Sequence, residues 1–268
     1  MRLRNRSRIT TRKLGAAIGA AVLGLGLAAS APGAVISTNF VGGQTDPGSG
    51  GPGAASVSGE AGVVPSINWN NIASNTASNL ALNDSAGNVA ANVTFSVNNT
   101  WAAVTNVPAD DNGRMMNGYL DNFQNQTVTV AGLGSAFTGP GYDVVVYQNA
   151  DSAGAFGFRV ADNAGHTATL FGRQLGAAGQ NYPLSGPNGF VQGTDTAGDG
   201  GTDASNYVRI TGLTGDTFTI TGVSGNAPGG DNRTRPNGFQ IVSSVPEPTS
   251  LALLGVGLLA LTRRRRAS

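Results

Sequence analysis

Thr217-Phe218-Thr219-Ile220-Thr221 decides the fold. Apolar and hydroxyl side chains alternate strictly, and a period of two puts every apolar group on one face of an extended strand. That face needs a core, while the threonines face water. The pattern returns in Val93-Thr94-Phe95-Ser96-Val97 and in Thr127-Val128-Thr129-Val130. Tyr142-Asp143-Val144-Val145-Val146-Tyr147 is more uniformly apolar, which suits a central strand. Residues 35–41, 156–160, 167–171, 207–213 and 238–242 complete the set, and no stretch carries an amphipathic helical period. About nine or ten strands with glycine-rich turns predict an all-β fold, an antiparallel two-sheet sandwich of jelly-roll kind. A closed barrel of roughly five to ten strands is the alternative. Residues 127–133 and 206–213 both end in Gly-Leu and both lead through a turn into another strand. Two hairpins with shared turn chemistry are expected there, rather than a true repeat.

The charge balance changes once the ends are set aside. Of the 16 basic residues, Arg2, Arg4, Arg6, Arg8, Arg12 and Lys13 lie in the first 13 positions, and Arg263, Arg264, Arg265 and Arg266 close the chain. Residues 35–245 keep six arginines against thirteen aspartates and Glu60, a net charge of −8, with no lysine. A nucleic-acid partner needs a basic face to displace phosphate counterions, so that class is excluded. There is no cysteine, so neither disulfides nor thiolate chemistry contribute.

The basic start, the apolar run over residues 14–29 and the small residues after it read as a secretory signal peptide over residues 1–34, with an apolar signal helix. Cleavage by signal peptidase is expected to leave a mature chain beginning between 31 and 35. Residues 35–244 then form one sandwich domain. Within it, residues 42–55 are rich in Gly, Pro and Ser and read as a flexible segment or long loop.

Residues 245–268 are a second address. Val245-Pro246-Glu247-Pro248 holds two prolines that neither helix nor ladder accommodates, so the segment stays extended and open to an enzyme. An apolar run over residues 250–262 follows, then the four arginines, which keep their end cytoplasmic. A spanning helix takes about 20 apolar residues, and this run is shorter, so a short apolar helix that enters the membrane transiently is expected. Motif, run and arginine cluster together resemble the PEP-CTERM sorting signal. The resemblance implies a bacterial exported protein processed near Pro246, Glu247 and Pro248 by the membrane protease exosortase. A plain C-terminal membrane anchor is the alternative.

The body carries a further resemblance. Residues 61–71, 116–121, 142–147 and 206–210, and the closing Pro236-Asn237-Gly238-Phe239-Gln240-Ile241-Val242, look like a domain attached to such tails in bacterial surface proteins. The last strand is similar to that of malectin-like and galactose-binding-like sandwiches. This implies a carbohydrate-binding sandwich and supplies no catalytic residue.

Chemistry is sparse in the residues themselves. His166 is the single histidine, so a multi-histidine metal centre is impossible, and no Gly-x-Ser-x-Gly elbow supplies a serine nucleophile. Asp110-Asp111-Asn112-Gly113 and Asp84-Ser85-Ala86-Gly87 read as turns. Asp195, Asp199 and Asp203 recur every four residues on a glycine-rich loop, where carboxylates and bent-backbone carbonyls are the ligands calcium takes; a solvated acidic loop is the competing reading. Trp69, Trp101, Tyr119 and Tyr182 lie among Asn, Gly and Pro and could stack on sugar rings or anchor the core. The expected role is non-catalytic, in the envelope, at the cell surface or in an extracellular polysaccharide matrix. A calcium-assisted lectin-like module is the second reading, and a polysaccharide-acting enzyme the third.

Overall fold

The computed structural model describes residues 33–45, 50–176 and 181–244. Along the chain run β1 (Val35–Phe40), β2 (Asn70–Ile72), β3 (Thr76–Asn83), β4 (Val89–Ser96) and β5 (Asn99–Ala102). The short helix α1 (Asp111–Met115) precedes β6 (Gly118–Asp121) and β7 (Thr127–Ala131). After α2 (Ser135–Thr138) come β8 (Tyr142–Tyr147), β9 (Gly154–Asp162), β10 (Thr167–Gln174), β11 (Gln192–Gly193), β12 (Tyr207–Leu213), β13 (Thr217–Ser224) and β14 (Gly238–Ser243).

One sheet has the order β11-β12-β8-β14-β1-β2, the other β10-β9-β13-β7-β4-β3, and β5-β6 form a separate ribbon. All pairs are antiparallel except β1–β2 and β11–β12. Eight of these strands carry the winding, β12-β8-β14-β1 in one sheet and β10-β9-β13-β7 in the other. The chain changes sheet at β7 to β8, β8 to β9, β10 to β12, β12 to β13 and β13 to β14. That winding is a jelly roll, so the expected sandwich is present and the barrel is not. β8 lies between β12 and β14, as its apolar character requires.

The alternation does what its period dictates. Phe218 and Ile220 are buried in the core, whereas Thr217, Thr219 and Thr221 are partly exposed on the outer face. Phe40 meets Phe95 edge-on at 5.5 Å and Phe239 at 6.2 Å, joining the two sheets. A second apolar cluster covers the outside of the first sheet: Val145 and Tyr147 pack with Val57, Trp69, Met116 and Phe190 from the loops. β8 therefore buries both faces.

Several expectations need correction. The two Gly-Leu stretches are not hairpins: β7 to β8 and β12 to β13 each cross between sheets. Gly132 (φ 79°) and Gly212 (φ 81°) take left-handed conformations there, and Leu133 and Leu213 are buried beside them. Asp110 does not end in a simple turn but caps α1, its carboxylate accepting from the Gly113 amide at 2.8 Å. Asp84 does form a turn, accepting from the Ala86 and Asn88 amides. In the segment 42–55, the described residues are tied down: Gln44 N donates to Pro52 O and Ala55 N to Val41 O. The signal helix and the C-terminal apolar helix fall outside the described residues.

Register divides the sandwich into two unlike ends. β1 starts beside the finish of β14, with Val35 opposite Val242. At that end the connections are residues 84–88, 132–141, 163–166 and 214–216. The opposite end holds residues 41–45, 50–75, 97–126, 148–153, 175–176, 181–206 and 225–237, which include the longest connections among the described residues.

Candidate functional site

The end with short turns is where the sorting tail departs. Ser243 N donates to Ala34 O at 2.9 Å, Ser243 Oγ to Ala136 O at 2.6 Å, and Ser244 N to Gly141 O at 2.8 Å. The chain is thus pinned to the sandwich through Ser244. Val245, Pro246, Glu247, Pro248, Arg263, Arg264, Arg265 and Arg266 lie outside the described residues, as does the apolar run. No helix among the described residues is long and apolar enough to cross a membrane.

The four aromatic candidates do not form one platform. Trp69 is buried, and its indole N–H donates to Ser66 O at 2.9 Å. Tyr119 is fully buried opposite the partly exposed Trp101 on the β5–β6 ribbon. Burial pushes the Tyr119 phenol far above its ordinary range, with Asp151 adding to the effect. Tyr182 lies elsewhere, 5.4 Å from Phe190; burial pushes its phenol up to about 12, so it is neutral at pH 7.

The three aspartates do not converge either. Asp195 Oδ1 accepts from the Ala197 amide, and its Oδ2 accepts from Gly198 and Gly200. Burial opposes its ionisation, but these backbone donors prevail and hold the carboxyl below its usual range. Asp199 accepts from Gly201 N within the same loop. Asp195 and Asp203 line a polar hollow of about 420 Å3, yet no group of three or more His, Asp or Glu side chains able to hold a metal occurs among the described residues. The carboxylates shape the loop.

The threonine face of the second sheet contains a groove of about 520 Å3, lined by Thr76, Ser78, Thr94, Ser96, Thr127 and Thr129 together with Ala77 and Phe95. Strand alternation made Thr94, Ser96, Thr127 and Thr129 legible in the sequence, but not Thr76, Ser78 or the groove. Beside the groove, β3 carries a register shift between Ala77 and Leu80 where it pairs with β4.

At the far end, Arg235 is buried under three carboxylates that sequence reading missed. Its guanidinium is 3.3 Å from Asp121 and 3.4 Å from Asp151, bonds Asp231, and lies 6.0 Å from the centre of the Tyr119 ring. Arg233 adds a bond to Asp231 at 2.7 Å. The burial of Asp231 favours its neutral form, but Ser152 and both arginines outweigh that and hold its pKa at about 2. The only signal was the closeness of Asp231, Arg233 and Arg235 in the chain, which resembles any solvated charged loop. This network joins β6, the 148–153 connection and the 225–237 connection.

Residues 244–266 match the family model described as the PEP-CTERM protein-sorting motif. The match begins at the residue where the sandwich's hydrogen bonding ends. It marks an exported protein of the cell surface that exosortase processes. No curated protein and no solved structure matches the chain.

Proposed function

We propose that this chain is a non-catalytic component of the cell envelope or extracellular matrix that associates with polysaccharide through its sandwich. The sorting motif at residues 244–266 carries the reading, because it supports export of the mature domain to the cell surface. The acidic, cysteine-free body and the jelly-roll winding are consistent with that setting. The groove among threonine and serine hydroxyls offers donors and acceptors to sugar hydroxyls. Attachment or release follows processing at Pro246, Glu247 and Pro248. Replacing those three residues with alanine is expected to leave the full-length chain in the membrane fraction; unchanged processing rejects the role given to the motif.

A calcium-assisted lectin is the second reading, with Asp195 and Asp203 beside the polar hollow as two of the oxygen donors that calcium takes. Polysaccharide pull-down with and without chelator separates the two, since the lectin loses binding when calcium is removed. A polysaccharide-acting enzyme is the third reading, and absence of turnover on polysaccharide substrates eliminates it.

A further inference from the structure

Charge is distributed unevenly over this acidic domain. The six strands of the second sheet contain one acidic residue, Asp162, although the body has fourteen. Asp162 is buried. Its Oδ1 accepts from the amides of Ala164 and His166, and its Oδ2 from those of Thr214 and Gly215. The outward side of this sheet therefore carries no carboxylate from its own strands.

Arg159 is exposed on β9, the strand next to the edge strand β10. Arg114, Arg209, Arg233 and Arg235 each pair with an aspartate, and Arg173 donates to Gly201 O at 2.9 Å. Among the described residues, Arg159 is the one arginine of the body with neither hydrogen bond nor ion pair. Register places Thr169 on one side of it and Thr221 on the other. Thr221 and Thr127 hydroxyls are 3.2 Å apart, and Thr127 lines the hydroxyl groove. A guanidinium thus sits in a row of hydroxyls that leads across adjacent strands into the groove.

We infer that the outer face of the second sheet binds an acidic polysaccharide, with a uronate carboxylate on Arg159 and neighbouring sugar hydroxyls on the threonines. The inference rests on the polysaccharide association proposed above and specifies its ligand class. A planar guanidinium holds a carboxylate with two parallel hydrogen bonds. The carboxylate-free face also spares an anionic polymer the repulsion it would meet among the loop aspartates, because screening confines most of that repulsion to about 8 Å at physiological salt. Adjacent strands are about 4.8 Å apart, so the row from Arg159 to the groove spans roughly two strand spacings, about 10 Å.

The test uses the mature protein purified from its exporting cell, in affinity electrophoresis through gels containing polygalacturonate or neutral dextran. Polygalacturonate is expected to retard it and dextran is not. Arg159→Gln should weaken retardation about tenfold or more, as loss of a charge-assisted hydrogen bond implies, whereas Arg114→Gln, the same charge change at the far end, should leave it unchanged. Thr221→Val should weaken it with Arg159 intact. Equal loss in both arginine variants, no retardation by polygalacturonate, or tighter binding to phosphatidylglycerol vesicles than to polygalacturonate overturns the inference. Each would do so while export and processing remain normal, so the sorting assignment is judged separately by fractionation.

Discussion

Val35 and Val242 face each other across the antiparallel pair of β1 and β14, at the first and last turns of the pleat. β14 also pairs with β8 on its other side, so the strand that leads into the sorting tail is interior to its sheet. Removing residues 245–268 should leave the thermal midpoint of the sandwich unchanged. Removing residues 238–268 takes out Phe239 and Ile241 with that strand and should prevent folding. Circular dichroism and gel filtration of the two truncations check the contrast.

Strand alternation makes a quantitative contrast of its own. Phe218 is buried and lies 5.7 Å from Tyr142, so Phe218→Ala should cost about 3–5 kcal/mol through lost burial and a residual cavity. Thr219, one residue away on the outer face, donates to Ala161 O at 3.4 Å, and its replacement by alanine should cost about 1 kcal/mol or less. Urea denaturation of the two variants measures both.

The far-end ion network should fail asymmetrically. Arg235 has 1 % side-chain exposure and Arg233 has 36 %. Arg235→Met leaves three carboxylates without their shared buried cation and should cost about 3–5 kcal/mol. Arg233→Met, at the rim, should cost about 1 kcal/mol or less. Equal losses on thermal melting would reject the assigned difference.

Acid should reveal Asp231. Its pKa in the folded protein is about 2, below the ordinary 3.8, so ionised Asp231 stabilises the fold above the higher value. That contribution declines as pH falls from about 3.8 to about 2 and is absent below both. Asp231→Asn should flatten this part of the stability–pH curve, as read from urea midpoints at successive pH values.

Most of the longer strands of the sandwich were legible because burial on one face writes a period of two into the chain. Phe218 and Ile220 in β13 and Phe95 in β4 show it plainly, and both β8 and β12 have the bounds that the sequence indicated. β2, β5, β6 and β11 have two to four residues each, too few for any period to register. β3 is longer, but its shift between Ala77 and Leu80 breaks the alternation. Asn and Gly around Trp69 and Tyr119 in sequence left sugar stacking and core anchoring both open, and both side chains are buried. Asp195 shows the matching limit for metal ligands: spacing along a loop does not reveal that backbone amides already occupy the carboxylate. The PEP-CTERM motif needed no fold to be read, since its information is local.

The separation of short turns from long connections divides the labour of the molecule. The tail leaves from one pole, and an insertion into residues 181–206 or 225–237 lengthens only the other. Such a scaffold can diversify what it displays to its surroundings while the way it is held stays fixed.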